Sequence, residues 1–156
     1  MLKKILLYGG LAILALIVLV QLVPFGRNHT NPPVVKEPAW DSPETRALAV
    51  RACFDCHSNE TNWKWYTNIA PFSWLTQRDV DEGRQVLNFS EWGMAGSGEG
   101  GEEGEGGERG EGAGEAGEVL MEGRMPPAQY LLLHPEARLT DAEKQALALG
   151  LANSLR

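Results

Sequence analysis

The chain begins with one continuous apolar run, whereas apolar and polar residues are interspersed along most of the remainder. The run covers residues 5–23 and is interrupted only by Tyr8, Gly9, Gly10 and Gln21. Nineteen helical residues extend about 28 Å, which matches the thickness of the hydrocarbon core of a bilayer. The pattern therefore predicts an N-terminal transmembrane helix over residues 5–23.

The charge before this run predicts its orientation. Lys3 and Lys4 lie in the short segment 1–4, and positive charge favours the cytoplasmic side. The rest of the chain is then exported, to the periplasmic side of a bacterial membrane. A cleavable secretory signal is the alternative, but residues 21–26 offer no small-x-small cleavage site. An uncleaved single-pass anchor is therefore favoured.

The next segment, residues 24–40, has little apolar periodicity and contains Pro32, Pro33 and Pro38. Proline-rich segments are extended and act as semi-rigid spacers. We therefore expect a tether that lifts a folded domain, residues 41–155, off the membrane.

Helical periodicity returns at the start of this domain. Ser42 offers a capping hydroxyl just before a proline, and the helix should continue towards Cys53. Ala47, Val50 and Phe54 are spaced by three and four residues, which predicts that they form the buried stripe of this helix.

Two further helices are predicted. Residues 73–87 form the first. The second covers 141–154, because Thr140 and Glu143 have the spacing of a capping box. Gly150 would allow this last helix to approach another closely. No strand pattern competes, so the predicted fold is all-α.

Glycine and glutamate dominate residues 96–117, with eleven Gly and seven Glu among 22 positions. Such a segment has little to bury and a large entropic cost of ordering, so we expect a disordered loop. The loop also carries most of the formal net charge of -7. Outside it the chain is nearly neutral and shows no basic patch, which argues against nucleic acid as a partner.

The only two cysteines, Cys53 and Cys56, are followed directly by His57. This spacing lets the two thiols bond the vinyl groups of one haem while the imidazole binds its iron. A zinc site wants four ligands, and the chain has no second such pair. A redox dithiol belongs near a βαβ pattern, and a disulfide across so short a loop adds little stability. The motif predicts one covalent haem c with His57 as proximal ligand, and zinc and the dithiol are less favoured alternatives.

The sequence around this motif resembles the small bacterial haem-binding domain family, whose members carry a single C-x-x-C-H. The shared motifs are, in chain order, Cys53-x-x-Cys56-His57, Asn62-Trp63-x-Trp65-Tyr66, Asn68-Ile69-Ala70-Pro71, Trp74, Arg78-Asp79-Val80-x-Glu82-Gly83-Arg84, Asn88-Phe89-Ser90-x-Trp92, Met125-Pro126-Pro127, Tyr130, His134-Pro135-x-Ala137 and Leu139. The resemblance implies a small cytochrome-c-like helical domain around one haem c, interrupted by the Gly/Glu loop. It implies no particular electron partner.

The second axial ligand of the iron is sought among the methionines and histidines after the motif. Met125 is favoured because the two prolines that follow it prevent a helix and hold the thioether in place. The resemblance has its Met-Pro at the same point. Met121 and Met94 are weaker candidates, His134 is the alternative sixth ligand, and an open position is a further alternative.

Aromatic residues after the motif are predicted to line the haem pocket and exclude water from it. The candidates are Trp63, Trp65, Tyr66, Trp74 and, later in the chain, Tyr130. Pro71 has a separate predicted role, by likeness to similar small c-type domains. Its backbone carbonyl would accept a hydrogen bond from the second ring nitrogen of His57.

Together these features predict one-electron transfer between extracytoplasmic redox proteins by a membrane-anchored c-type cytochrome domain. An iron closed by His57 and Met125 binds no peroxide or oxygen without losing a ligand, so an electron carrier is favoured over an enzyme. The alternative is a peroxidase-like enzyme or a small-ligand sensor with an open sixth iron position. A third hypothesis is an interaction protein that uses the acidic loop.

Overall fold

The computed structural model describes residues 1–93 and 111–154, with the side chains of 111–114 left out. These residues form helices and no strand, so the predicted all-α fold with an apolar N-terminal helix is confirmed. The helices are α1 (Leu2–Val20), α2 (Pro43–Ala52), α3 (Phe54–His57), α4 (Phe72–Val86), α5 (Glu111–Met121), α6 (Ala128–Leu133) and α7 (Asp141–Ser154). Short 3-10 turns cover Trp65–Asn68 and Pro135–Ala137.

The N-terminal helix α1 is long and apolar enough to cross a membrane, and none of its 19 residues is buried. It is shifted by three residues from the predicted span of 5–23. At its start the helix includes Lys3 and Lys4, since lysine is a good helix former. At its end Gln21 caps the helix.

The chain folds as two compact units. The first comprises Met1–Thr30 and Trp63–Asp79, and the second comprises Asn31–Asn62 and Val80–Arg156. The first unit thus contains α1 and the aromatic-rich segment, and the second contains the Cys-x-x-Cys-His motif and the last three helices.

In the first unit, the chain after α1 packs against residues 63–79. The side-chain amide of Gln21 accepts a hydrogen bond from the N–H of Ala70 at 3.0 Å and donates one to its carbonyl at 2.9 Å. Gly26 lies so close to the backbone carbonyl of Ser73 that no side chain would fit. Residues 21–30 are therefore part of a folded unit, whereas the sequence predicted the start of a tether at residue 24.

In the second unit, the other half of the predicted tether runs along the domain. The N–H groups of Val35 and Lys36 donate to the carbonyl of Ser90 at 2.9 and 3.0 Å, and the N–H of Trp92 donates to the carbonyl of Lys36 at 2.9 Å. The N–H and C=O groups of an extended segment have no partners within the segment, and those named here are paired with the domain. This segment, residues 31–40, is packed against its unit and does not form a free spacer.

The core of the second unit lies between α2, α5 and α7. Its buried members are Leu48, Ala49, Ala52, Phe54, Phe89, Leu120, Leu139, Leu147 and Leu151. Gly150 of α7 faces Thr45 of α2 so closely that only glycine fits at this crossing. The predicted role of Gly150 in a close helix approach is confirmed.

The buried face of α2 differs from the predicted stripe. The buried residues of this helix are Thr45, Leu48, Ala49 and Ala52. Ala47 and Val50 are exposed, so the prediction was wrong for both, while Phe54 is buried as expected. The close approach of Gly150 to Thr45 sets which face of α2 points towards α7.

The helix ends follow their predicted caps. The hydroxyl of Thr140 accepts from the N–H of Glu143 at 3.3 Å, and the Glu143 carboxylate accepts from the N–H of Thr140 at 2.8 Å. The hydroxyl of Ser42 accepts from the N–H of Thr45 at 3.1 Å. Accordingly α7 has its predicted bounds, and α4 begins and ends within one residue of the predicted 73–87.

Part of the predicted Gly/Glu loop is helical. Residues 111–117 belong to α5, so the prediction of a disordered loop was wrong for them. A Cβ placed on Gly117 would lie 3.5 Å from the Cβ of Ala148 in α7, which shows that the two helices pack here. Such packing offsets the low helix propensity of glycine. Residues 96–110 lie outside the described residues, and for them the loop stays a prediction.

Candidate cofactor site

The Cys-x-x-Cys-His motif lies at the junction of two helices. The N–H of Cys53 donates to the carbonyl of Ala49 at 2.8 Å and so closes α2, and α3 then adds a single turn. The Cys53 carbonyl accepts from the N–H groups of Cys56 and His57 at 3.2 and 2.9 Å. The two thiols and the imidazole thus project from one short segment with a fixed backbone.

Cys53 and Cys56 are not joined in a disulfide. Burial, with a smaller effect from Cys56, raises the pKa of Cys53 to about 12, so this thiol is protonated at neutral pH. In the described parts of the chain, no three or more His, Cys, Asp or Glu residues are grouped as a metal site requires. The zinc alternative therefore gains no support from the structure.

The ring of His57 is held by backbone carbonyls at the end of α4. Its Nδ1 lies 2.9 Å from the carbonyl oxygen of Gly83 and 3.1 Å from that of Leu87. A carbonyl only accepts, so Nδ1 carries the proton and Nε2 of the neutral ring keeps its lone pair. Burial lowers the pKa of His57, which favours this neutral form.

These two contacts correct the predicted role of Pro71. The acceptors for Nδ1 of His57 are Gly83 and Leu87, so the prediction that the Pro71 carbonyl fills this position was wrong. The carbonyls come from the last turn of α4 and from Leu87 directly after it, and the Gly83 carbonyl also accepts from the N–H of Leu87 at 2.9 Å.

A glycine in α4 makes this contact possible. A Cβ on Gly83 would lie 2.6 Å from the carbonyl oxygen of Cys56 and 3.1 Å from its Cβ. The absence of a side chain lets α4 pack directly on the motif and brings its carbonyls within reach of His57. Sequence reasoning assigned no role to Gly83, although a glycine inside a predicted helix was a usable signal of close packing.

Buried polar side chains fix the loop that follows the motif. Ser58, Asn59, Asn88 and Ser90 are each at most 4% exposed. The hydroxyl of Ser90 accepts from the N–H of Asn59 at 2.9 Å, and the Asn88 amide donates to that of Asn59 at 3.0 Å. Arg84 Nε donates to the Ser58 carbonyl at 2.8 Å. A satisfied polar network of this kind is rigid, and sequence reasoning missed it.

Asp55, which lies between the two cysteines, connects the motif to α6. Its carboxylate accepts from the Tyr130 hydroxyl at 2.8 Å and from the N–H of Asn62 at 3.0 Å. The Tyr130 ring stacks on that of His134, with centroids 4.0 Å apart. His134 is only 2% exposed, and its Nδ1 lies 3.4 Å from the carboxylate of Glu136. Two predicted site residues, Tyr130 and His134, thus lie beside the motif.

Met125 lies in the loop between α5 and α6 and is 40% exposed. The loop turns at Gly123, which has a positive φ of 72°. Tyr130, five positions beyond Met125, is bonded to Asp55, so this part of the chain is tied to the motif. Met121 is also exposed, and Met94 lies outside the described residues. The structure leaves the predicted ligand role of Met125 a prediction.

The other predicted pocket aromatics lie in the first unit. The ring of Trp63 stacks on that of His29 at 4.7 Å, and Trp65 meets Tyr66 edge to face at 6.1 Å. The indole N–H of Trp74 is buried and has no hydrogen-bond partner among the described residues. Their placement around a haem stays a prediction.

The donor set of the motif fits a covalently held haem. It offers two thiols that are not in a disulfide and, directly after them, a neutral imidazole with one nitrogen fixed by the backbone and the other available for iron. A hydrogen bond to the second nitrogen of a ligating histidine orients the ring and strengthens its bond to the metal.

Comparison with known proteins agrees with this chemistry. The family model of the haem-binding domain matches residues 15–153. No curated protein and no solved structure matches the chain. The family match covers most of the chain and includes Cys53, Cys56 and His57, and it indicates that the protein binds haem. The chain belongs to the haem-binding domain family.

Proposed function

We propose that this protein is a membrane-anchored c-type cytochrome that passes single electrons between extracytoplasmic redox proteins. The observation that carries the proposal is the His57 ring, whose Nδ1 is fixed by two carbonyls while Nε2 keeps its lone pair. Because it directly follows two thiols that are not in a disulfide, such a histidine is suited to bind the iron of a haem attached at Cys53 and Cys56.

Four residues would hold the cofactor. Cys53 and Cys56 would form the thioether bonds, while Nε2 of His57 and the sulfur of Met125 would be the axial ligands. Haem supplies a one-electron couple at its iron. The chain would orient His57 through its Nδ1 and would supply the sulfur of Met125, and the identity of these ligands together with the exclusion of water would set the reduction potential.

The surroundings of Met125 and His134 favour methionine as the sixth ligand. The His134 ring is buried and stacked on Tyr130, and its Nδ1 faces Glu136. Moving this ring to an iron would break those contacts. Met125 is half exposed, and the hydrogen bond from Tyr130 to Asp55 ties its loop to the motif. Its side chain would therefore lose few contacts on binding iron.

The same loop gives little support to an enzyme. Arg124, next to Met125, is the residue that a peroxidase-like site would use beside an open iron. Its Nε donates to the carboxylate of Glu122 at 2.6 Å, and both side chains are exposed at the surface. An electron carrier therefore remains the favoured function.

We also propose that α1 is retained as a membrane anchor. The family match begins at residue 15, inside α1, and therefore includes the end of this helix. Gln21 and Gly26 contact Ala70 and Ser73 in the same unit. Cleavage just after the apolar run would remove residues that this unit uses, and the lysines before the run favour export of everything after it.

The proposal is tested by absorption spectroscopy of the full chain, produced in a bacterium that attaches haem c and purified in detergent. We expect a low-spin haem that survives acid-acetone extraction and, when reduced, does not bind carbon monoxide. Met125→Ala should become high-spin and bind carbon monoxide. Met121→Ala, in which another exposed methionine is removed, is the matched control and should behave as the parent.

Two results would contradict the proposal in different places. Haem that is extracted from the unfolded parent would exclude thioether attachment at Cys53 and Cys56. Rapid carbon monoxide binding by the reduced parent would exclude Met125 as a ligand and would favour the enzyme or sensor.

A further inference from the structure

The first unit carries a set of large apolar side chains that point away from its interior. Trp65 is 76% exposed, and Ile69, Phe72 and Leu75 are between 42% and 55% exposed. We propose that these four residues, the juxtamembrane patch, rest in the headgroup layer of the bilayer that α1 crosses. The inference rests on the proposed anchor, and it adds a lipid-binding surface to the domain itself.

The patch is fixed to the end of α1 by a polar clamp. Gln21 is the C-cap of α1, and its side chain makes two hydrogen bonds with the backbone of Ala70. Arg27 donates to the same Gln21 oxygen at 3.0 Å, which holds the amide in place. Ala70 follows Ile69 directly, so the clamp sets the position of the patch relative to the helix end.

A second set of contacts makes this junction rigid. The ring nitrogen Nε2 of His29 lies 3.0 Å from the hydroxyl and 3.1 Å from the carbonyl oxygen of Thr67, and the His29 ring stacks on Trp63. Gly26 lies against the backbone of Ser73. The chain after α1 therefore lies along residues 63–73 instead of swinging freely.

The length of α1 places this junction at the membrane boundary. A helix of 19 residues extends about 28 Å, which is the thickness of the hydrocarbon core. Gln21, directly after it, then lies where hydrocarbon meets headgroups, and so does the peptide of Ala70. Tryptophan and other aromatic rings favour this layer because it accommodates both apolar and polar groups.

The charges beside the patch also fit a lipid surface. Beyond α1, the first unit contains three cationic residues, Arg27, Lys64 and Arg78, and one anionic residue, Asp79. The whole chain has a net charge of -7, so this unit is basic within an acidic protein. Basic residues next to a membrane helix are attracted to anionic lipid headgroups.

The test measures the depth of single positions in the full haem-loaded chain, reconstituted in nanodiscs that contain phosphatidylcholine and phosphatidylglycerol. A ketone-bearing phenylalanine analogue that carries a nitroxide replaces Trp65 or Leu75. The haem is kept ferric in every sample, so its effect on the nitroxide is a constant background that is subtracted by measuring each sample without a relaxer. Electron paramagnetic resonance then compares collisions with oxygen, which enters lipid, and with a nickel chelate, which stays in water.

Two reference positions make the comparison sharp. Leu16, within α1, reports whether the anchor spans the bilayer. Leu149, a leucine of α7 whose exposure of 69% lies between those of Leu75 and Trp65, reports an apolar side chain outside the patch. We expect the ratio of oxygen to nickel collisions at 65 and 75 to exceed that at 149 several-fold. Gln21→Leu, which removes the clamp, should lower the ratio at 65 and leave that at 16 unchanged.

The outcomes separate the inference from the anchor. If position 16 is deep while 65 and 75 match 149, the patch does not touch lipid and the inference is wrong. Protection of position 65 from both relaxers would also overturn it, because the side chain would then be covered by protein or haem. If position 16 is open to the nickel chelate, the anchor fails and the inference falls with it.

Discussion

His57 and His134 both belong to the second unit, but contacts of different kinds hold their rings. Nδ1 of His57 lies against two backbone carbonyls, that of Gly83 in α4 and that of Leu87 directly after it. His134 stacks on the side chain of Tyr130 and faces the carboxylate of Glu136. The first arrangement leaves one ring nitrogen for another partner in a set direction, whereas the second encloses the whole ring.

The difference extends to the segments around them. The chain around His57 is held by backbone bonds, by Gly83 and by a network of buried polar side chains. The segment from Met125 to His134 is tied to the motif by the hydrogen bond from Tyr130 to Asp55. This contrast implies that the segment around His57 is rigid and that the segment around Met125 is more adaptable.

The largest expected effect is that removal of His57 changes the haem spectrum, whereas removal of His134 changes only the stability. His57→Ala should remove the low-spin spectrum completely, because the iron loses its proximal ligand. His134→Ala should leave the spectrum unchanged and lower the free energy of unfolding by about 2 kcal/mol, through the lost stacking and burial. Absorption spectra and urea unfolding check both. A high-spin spectrum in His134→Ala would show that His134 contributes to iron binding and that the two histidines do not have the roles assigned to them.

A pair of glycines tests the packing that positions His57. Gly83→Ala should destabilise the unit by about 1–3 kcal/mol, because its Cβ would lie 2.6 Å from the Cys56 carbonyl. Gly117→Ala is the control, since its Cβ meets Ala148 at an ordinary 3.5 Å and alanine should stabilise that helix by about 0.5–1 kcal/mol. Urea unfolding measures both. Equal stabilisation by both variants would disprove the close approach of α4.

A smaller effect is expected on the methionine side. Tyr130→Phe removes the hydrogen bond to the Asp55 carboxylate and should cost about 1 kcal/mol. If this bond holds the loop, the reduced variant should bind carbon monoxide slowly, whereas the reduced parent should not bind it. Tyr8→Phe, at an exposed position of α1, is the matched control and should behave as the parent. Absence of carbon monoxide binding in Tyr130→Phe would show that the bond does not position Met125.

The smallest effect concerns the carboxylate of Glu143. Unlike the carbonyls around His57, this group gains a proton as the pH falls. The N–H of Thr140 first, and then Arg51, lower the pKa of Glu143 from 4.5 to about 2. The charged carboxylate therefore adds stability above pH 4.5, and this stability is lost as the pH falls towards 2. Unfolding of Glu143→Gln between pH 5 and 2 should show a weaker pH dependence than the parent, and Glu118→Gln should match the parent.

Local signals were sufficient to predict several elements from the sequence. Thr140 and Glu143 marked the start of α7, and α4 was predicted to within one residue. These signals work because caps and apolar spacing act within one or two turns of the chain. The resemblance to the haem-binding domain family, confirmed by the family match, rested on motifs that are local as well.

Contacts between distant segments were not predictable in this way. Periodicity says nothing about which carbonyl approaches His57, and Gly83 was overlooked while Pro71 was chosen. The same limit applies to residues 111–117, whose composition indicates disorder although their helix packs on α7. In both cases a partner far away in the sequence decides the structure.

The crossing of Thr45 with Gly150 has a consequence for the order of events during biogenesis. The core of the second unit includes Leu147 and Leu151, so it cannot close before the C-terminal end of the chain is present. If the chain is exported behind its N-terminal helix as proposed, Cys53 and Cys56 would emerge on the far side of the membrane before α7. Haem attachment at these thiols would then take place on an open chain, and the last helix would complete the fold afterwards.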